Sequence, residues 1–341
     1  MDRVKRSLRN PNGLEAWKPL IDQILPDLYR ITLPMPFRLG HVHVHALLHN
    51  GRVALFDVGM NIPESFRVLS EALAALGRTA GDVDQIFLTH FHVDHCGITG
   101  EIQRRSGAEV RMSASDERRI NNEIKPEEFV RRAGGFYSRH GLPRKTIESL
   151  IRLMAVFRKA TIPFRVNRHL EPHERYRFGD RLVEIIPAPG HTRGQMCFYF
   201  REEGVLLSGD HVLPEITPNL SPDLFDLDYR PLRSFMESLG SIRDLPVRMV
   251  CPAHGAPFPD LAKRVDEIRN HHAERARLIV EALRGREKTS FEVSQDIFGK
   301  DLPDFDEYLA LNETYVHLVD LEDKGIVGSV ERDGLVLYRV G

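Results

Sequence analysis

The chain has 341 residues and a formal net charge of −2, which excludes a uniformly basic nucleic-acid coat or a highly charged disordered chain. Apolar residues make up 42%, enough for a full-sized core, so no metal is needed merely to staple the fold. Its three cysteines, Cys96, Cys197 and Cys251, are too sparse and irregular for a disulfide framework. With no run of membrane-spanning length, this predicts a cytoplasmic protein with no membrane partner.

The opening stretch, MDRVKRSLRNPNGLEAW, is basic with no apolar segment behind it. DLYRITLPMP and HVHVHALLHNGRVALFDVG then read as strands, the second folded into a hairpin at Asn50-Gly51. SFRVLSEALAALG has helical spacing and stops at Gly77. VDQIFLTH is a buried-strand pattern that ends abruptly in polar residues, and RLVEIIPAPGH, GVLLSGD and VRMVCPAH repeat that event. Four apolar strands that each deliver His or Asp at the carboxyl end predict one site along a sheet edge, where α/β folds bind ligands.

Between about 114 and 177 lies a helical insertion, which Gly134-Gly135 and Gly141-Leu142-Pro143 are expected to break into two or three helices. It carries roughly twice as many basic as acidic residues. From about 265 a long amphipathic helix (AKRVDEIRNHHAERARLIVEALRG) is followed by SFEVSQDIFG, ETYVHLVDLEDKG and the hairpin IVGSVERDGLVLYRV, the order of a winged helix. The expected division is therefore a catalytic domain over 1–264 and a winged-helix-like domain over 265–341.

The densest chemical signal is Thr89-His90-Phe91-His92-Val93-Asp94-His95-Cys96-Gly97, directly after a strand. Imidazole and carboxylate are natural ligands of zinc and similar ions. His90 and His92, two apart, face one way and can share an ion; Asp94 and His95, a turn onward, reach toward a second. Gly97 is expected to free the backbone for the turn into a helix. A polar loop with chance histidines explains four ligand types in six residues poorly.

This pattern resembles the His-x-His-x-Asp-His hallmark of the metallo-β-lactamase superfamily. Pro189-Gly190-His191-Thr192-Arg193-Gly194, Ser208-Gly209-Asp210 and Pro252-Ala253-His254-Gly255 resemble that family's remaining motifs, in order, and the resemblance covers roughly residues 25–260. It implies an α/β fold, a four-layer αββα sandwich, with His90, His92 and His191 on one metal. Asp94, His95 and His254 would hold the second, Asp210 would bridge both, and Asp94 and His254 would also serve catalysis. The cofactor implied is two divalent ions, Zn2+ first, with Fe or Mn compatible with the same ligands. Asp57, in Phe56-Asp57-Val58-Gly59, matches the family's buried aspartate and is expected to orient a ligand or the motif loop.

Other candidates carry blander expectations. His41, His43 and His45 share one strand face and are expected to be packed or solvated more readily than to rim a pocket. His173 and His211 are expected to be bystanders, and Cys96 and Cys251 small buried fillers.

Two adjacent divalent ions would make hydroxide available near neutral pH, and the ligand carboxylates leave the centre net positive, which favours a small anionic substrate. The all-His/Asp ligand set is similar to that of glyoxalase-II-like members and predicts a hydrolase of esters or thioesters. A nuclease is the alternative, and a non-catalytic binding module a second. A β-lactamase fits less well, because one major class places Cys where Asp210 stands. Against the nuclease, the tail from Phe291 carries Glu292, Asp296, Asp301, Asp304, Asp306, Glu307, Glu313, Asp320, Glu322, Asp323, Glu331 and Asp333 but only Lys300, Lys324, Arg332 and Arg339. Such a tail repels phosphate and is expected to pack or to support a homodimer. His271-His272 and Arg275 on its first helix resemble the winged-helix subgroup of these hydrolases.

Overall fold

Strand-rich segments pair into two stacked sheets in the computed structural model, which describes residues 17–120 and 125–341. The basic opening stretch, up to residue 16, and residues 121–124 of the insertion lie outside the described residues. The first sheet runs in chain order through β1 (Leu20–Leu25), β2 (Leu28–Pro34), β3 (His41–His49), β4 (Arg52–Phe56), β5 (Val83–Phe87), β6 (Glu109–Met112) and β7 (Arg168–His169). Between β3 and β4, His49 pairs with Arg52 around Asn50 (φ 46°) and Gly51 (φ 83°). Both turn residues are left-handed, as a two-residue I′ hairpin requires. From β4 onward the strands are parallel, with α1 (Pro63–Ala75), the single turn α2 (Val93–Cys96) and α3 (Thr99–Ser106) in the crossovers.

The insertion forms α4 (Ala114–Ile120), α5 (Pro126–Arg139) and α6 (Arg144–Lys159). The break expected at Gly134-Gly135 is absent: α5 runs straight through it. Nothing lies within 4 Å of a Cβ at either glycine, so the pair marks no close approach. The helix survives because it buries Ala133, Phe136 and Tyr137 against Leu150 and Leu311. Burying two aromatics offsets the ~1 kcal/mol that each helical glycine costs. The break at Gly141-Leu142-Pro143 is present, with Gly141 at φ 86°.

The second sheet has the order β12-β11-β10-β9-β8, from β8 (Arg175–Phe178), β9 (Arg181–Pro187), β10 (Met196–Phe200), β11 (Val205–Gly209) and β12 (Met249–Pro252). Helix α7 (Pro231–Ile242) connects β11 to its parallel neighbour β12. Three apolar layers hold this αββα stack together. Phe56 and Phe87 meet Ile185, Phe198 and Leu207 between the sheets. Val68, Leu69 and Leu73 of α1 cover the outer face of the first sheet. Leu232, Phe235 and Leu239 of α7, with Leu261, Val265 and Ile268, cover the second.

Those last three belong to α8 (Leu261–Ala282), followed by α9 (Ser290–Phe298), α10 (Asp304–Asp323) and the hairpin β13 (Val327–Arg332) and β14 (Leu335–Val340). The tail thus shares a core with the sandwich, and its acids find partners there. Asp323 pairs with Arg230 and Arg233 (both 2.8 Å), Glu331 with Arg139 (2.8 Å) and Asp306 with Arg38 (3.3 Å). Several insertion arginines are neutralised locally, Arg131 and Arg132 by Glu128 and Arg144 by Glu148. Among the described residues, no helix is long and apolar enough to cross a membrane.

Polar groups are buried where α8 meets α10. His272 Nδ1 lies 3.1 Å from His317 Nε2, and His317 Nδ1 donates to the Glu313 carbonyl at 2.7 Å. The Glu313 carboxylate has Oε1 without a hydrogen bond, 4.0 Å from Arg275 Nε. Burial pushes its pKa from 4.5 up to about 7, with Arg275 pulling the other way. A folded value above the unfolded one means stability that is complete below pH 4.5 and lost as pH rises through 7. Glu313→Gln is therefore expected to exceed the parent in stability at pH 8 by on the order of 2 kcal/mol, with the gain vanishing toward pH 4.5. Denaturant midpoints at the two pH values check this; equal midpoints at pH 8 would mean that Arg275 compensates fully.

Candidate metal centre

The four strands that lead into the ligand residues all end at one edge of the sandwich. His90 and His92 follow β5, Asp94 and His95 sit on α2, and His191, Asp210 and His254 follow β9, β11 and β12. The seven side chains form two adjoining groups. His90 Nε2 lies 3.0 Å from His92 Nδ1, which lies 2.9 Å from His191 Nε2. In the second group, Asp94 Oδ2 lies 3.5 Å from His95 Nε2 and 3.4 Å from His254 Nε2. Asp210 stands between them. Its Oδ2 is 3.4 Å from His191 Nε2, and its Oδ1 is 3.5 Å from His95 Nε2 and 3.3 Å from His254 Nε2.

In His90, His95, His191 and His254 the ring nitrogen facing away from these groups is held by oxygen. His90 Nδ1 donates to Thr89 Oγ1 (2.9 Å), His191 Nδ1 to the Asn219 carbonyl (2.8 Å) and His254 Nδ1 to the His41 carbonyl (2.8 Å). Asp57 Oδ2 accepts from His95 Nδ1 and from the Thr89 hydroxyl, and its Oδ1 from the Thr89 N–H, each at 2.8 Å. Asp57 itself adopts φ 58°, a left-handed turn directly after β4 that aims the carboxylate at the motif. Such partners fix the tautomer and present one bare nitrogen to a cation.

Electrostatics describes the same centre. Burial, then the neighbouring histidines, hold His90 well below its usual value, and burial with His191 beside it holds His92 at about 3, so both rings are neutral. Burial also works against charge on His95 and His254. The carboxylates outweigh it, lifting His254 to about 10 and His95 well above its ordinary value. Burial opposes ionisation of Asp94 too, yet His95 and His254 bring it to about 2. Without cations, then, the buried carboxylates draw positive charge from protonated imidazoles.

These residues fit a pair of divalent ions. Oδ1 of Asp210 and Nε2 of His95 are buried with no hydrogen-bond partner. His92 Nδ1 faces two other imidazole nitrogens and can hydrogen-bond only one of them at a time. The 2.9–3.0 Å spacings approach the ~3.3 Å ligand–ligand edge of a tetrahedron built on Zn–N bonds of ~2.0–2.1 Å. One ion among His90, His92 and His191, and another among Asp94, His95 and His254, would give His92 Nδ1 and His95 Nε2 a partner, with Asp210 beside both groups.

Gly97 is required for a different reason from the one its sequence suggests. Its φ of −55° suits any residue, but a Cβ there would overlap the Asn61 nitrogen and the Val93 carbonyl oxygen. Close packing of the motif turn onto the loop after β4 excludes a side chain. His41, His43 and His45 are buried; His43 bridges the Thr32 hydroxyl (3.1 Å) and the Gly255 carbonyl (2.9 Å), bracing the loop of His254. His211 packs edge-on against Phe235, His173 is exposed on a turn, and Cys96 and Cys251 are buried free thiols.

Three supports escape sequence reasoning. The Asn219 carbonyl is one. The Gln195 carboxamide is another: in the orientation that satisfies its neighbours, its oxygen accepts from the Asp210 and His211 N–H groups (3.1 and 2.6 Å). Asp116 of α4 is the third. Its carboxylate accepts from the Phe91 N–H (3.1 Å), the Thr192 hydroxyl (2.8 Å) and the Gly194 N–H (2.8 Å), tying the His90–His92 loop to the His191 loop. Burial pushes its pKa up to about 6 despite those donors. Only an acid at the start of a helix is visible in the sequence, with nothing to mark its partners. Asp116→Ala is expected to weaken metal affinity by about 10–100-fold with every ligand in place. Competition with a chelator measures it, and unchanged affinity would show that the two loops hold their geometry unaided.

Comparison with known proteins agrees with this architecture. The family model described as "Metallo-beta-lactamase superfamily" matches residues 38–254. A probable metallo-hydrolase of Bacillus subtilis, YqjP, is 27% identical over 92% of this chain and 98% of its own length. An atrochrysone carboxyl ACP thioesterase of Aspergillus novofumigatus is 22% identical over 78% of this chain and 66% of its own. Among solved structures, a metallo-beta-lactamase family protein from Thermus thermophilus superposes with a TM-score of 0.82 at 29% identity, covering 94% of this chain and all of that one. With the family model spanning most of the chain and each of its histidine- and aspartate-bearing strands, this protein belongs to the metallo-β-lactamase superfamily of hydrolases.

Proposed function

We propose that the protein is a dinuclear metal-dependent hydrolase that cleaves a thioester or ester carbonyl in a small anionic substrate. The observation that carries this is Asp210, whose two carboxylate oxygens face opposite halves of a seven-ligand cluster. With histidine and aspartate in all seven positions, the ligand set is of the glyoxalase-II-like kind, and zinc suits it best. When bound, the ions supply an activated water at neutral pH and polarise the acyl oxygen. Hydrolysis then adds water across the acyl C–S or C–O bond, leaving a carboxylate and a free thiol or alcohol.

The chain's own residues prepare that step. His90, His92 and His191, kept neutral by burial, offer lone pairs and no competing protons. Asp57, Thr89, Asn219 and the His41 carbonyl fix ring orientations before substrate arrives, so little reorganisation remains for the reaction. Arg38, on the loop between β2 and β3, has a side chain 86% exposed and pairs with Asp306 at 3.3 Å, a surface contact for which an anionic group can compete. The Aspergillus relative is named a thioesterase, which favours a thioester over other acyl compounds.

The region from about 265 serves in this reading as a winged-helix-like packing or dimerisation element. Three of its acids, Asp323, Glu331 and Asp306, pair with Arg230, Arg233, Arg139 and Arg38, which supports packing rather than the basic phosphate-gripping face a nuclease requires.

Metal analysis of purified protein is expected to find two ions per chain. Thioester turnover should be lost on chelation and restored by Zn2+, with RNA left intact. Asp210→Ala should lose one ion and at least about a hundredfold in kcat/KM. A variant that kept both ions and full rate would remove Asp210 from the bridging role, and RNA cleavage without thioester turnover would overturn the substrate class.

A further inference from the structure

Buried polar atoms without partners gather a second time, away from the metal centre, where α8 packs against α10. Glu313 and His317 stand four residues apart on α10 and share one face of that helix, and His272 of α8 meets them there. All three are buried, and one ligand atom from each lies within 4.8 Å of the other two. His272 Nδ1 is 3.1 Å from His317 Nε2 and 3.9 Å from Glu313 Oε1. Phe235 separates this cluster from the catalytic one. Its ring centroid is 5.6 Å from that of His272 and 5.2 Å from that of His211, the residue after Asp210.

Hydrogen bonds leave the cluster incomplete. His317 Nδ1 donates to the Glu313 carbonyl at 2.7 Å, which fixes the tautomer and leaves Nε2 as a bare lone pair. When His272 Nδ1 donates to that lone pair, His272 Nε2 stays without a partner, and so does Glu313 Oε1. Arg275 does not supply one. Its guanidinium lies over the Phe298 ring, 4.2 Å from the centroid, with Nε 4.0 Å from Oε1. A buried carboxylate short of hydrogen bonds is costly. A cation would draw on His272 Nδ1, His317 Nε2 and Glu313 Oε1 together and neutralise the carboxylate. The separations of 3.1 and 3.9 Å straddle the ~3.3 Å ligand–ligand edge of a tetrahedron built on Zn–N bonds of ~2.0–2.1 Å. A carbonyl on the far ring nitrogen of His317 repeats the arrangement at His191 and His254.

We propose that His272, Glu313 and His317 form an auxiliary metal site, which takes one divalent ion, zinc first, and staples α10 to α8. It shares no ligand with the catalytic centre and stands apart from the hydrolase reading. With a single carboxylate and the Arg275 charge beside it, this is the weaker site, and it fills above the two ions expected to survive purification. The gain in stability expected of Glu313→Gln at pH 8 belongs to protein whose auxiliary site is empty. Filling it pins the tail: α8 covers the second sheet, and α10 carries the Leu309 carbonyl that accepts from Asn219.

The test counts ions. Full-length protein stripped with a chelator is titrated with Zn2+, and bound metal is measured by plasma mass spectrometry after gel filtration in micromolar Zn2+. At saturation two variants should each hold one ion fewer than the parent: Glu313→Gln, and His272→Phe, which keeps a ring against Phe235 without a ligand nitrogen. Circular dichroism checks that each is folded, and if one is not, the other carries the count. The same one-ion difference is expected in an Asp210→Ala background, because the ion lost is not a catalytic one. Zn2+ should also raise the Tm of the parent by about 3–5 °C more than that of either variant. Equal counts in the parent and the folded variants would overturn the site and leave the hydrolase reading intact. A parent that holds a single ion, lost with His272→Phe, would keep the auxiliary site and overturn the dinuclear centre.

Discussion

An imidazole ring has two nitrogens, and only one can serve a cation. The arrangement of this protein follows from the need to hold the other one. Thr89, Asp57, Asn219 and the His41 carbonyl each engage a ring nitrogen of a different histidine, and they come from four separate segments of the chain. A buried ring without such a partner would be free to choose its tautomer and would present a proton where a lone pair is needed.

The sandwich is a means of bringing those four segments to one edge. Apolar layers between and outside the sheets fix the strands, and strands fix the positions of their terminal residues far better than loops do. Loops still carry the ligands, so cross-links replace the rigidity that strands lack. Asp116 is such a cross-link, with three hydrogen bonds spanning two ligand loops. Burial raises the pKa of that acid, and the same three donors work against the rise. Excluding a side chain at Gly97 does similar work by contact alone.

Local chemistry was legible in the sequence where one segment carried the whole signal. Asn50-Gly51 specified its hairpin because both residues accept left-handed backbone, and Gly77 ended its helix for the same reason. Four strands ending in His or Asp were enough to suggest one site along a sheet edge, while the sandwich was implied only by the family resemblance of their motifs. Features that depend on two distant segments were not legible. Asp116 in SASDERR looks like an ordinary first-turn acid, and only the approach of the Thr192–Gly194 loop gives it a task. Counting the insertion's basic residues could not reveal that Glu128, Glu148 and Glu331 neutralise many of them. Gly134-Gly135 misled because glycine reports a local cost, whereas the helix through it is held by burial of Phe136 and Tyr137 against other elements.

The support of His191 is itself supported late in the chain. Asn219 gives its carbonyl to His191 and its carboxamide to Leu309, while Ser221 beside it accepts from Asn312. A ribosome therefore releases every ligand of the cluster well before the helix that steadies one of them. The hold on His191 is thus completed only by packing of α10, so the tail is part of the support of the cluster although it contributes no ligand.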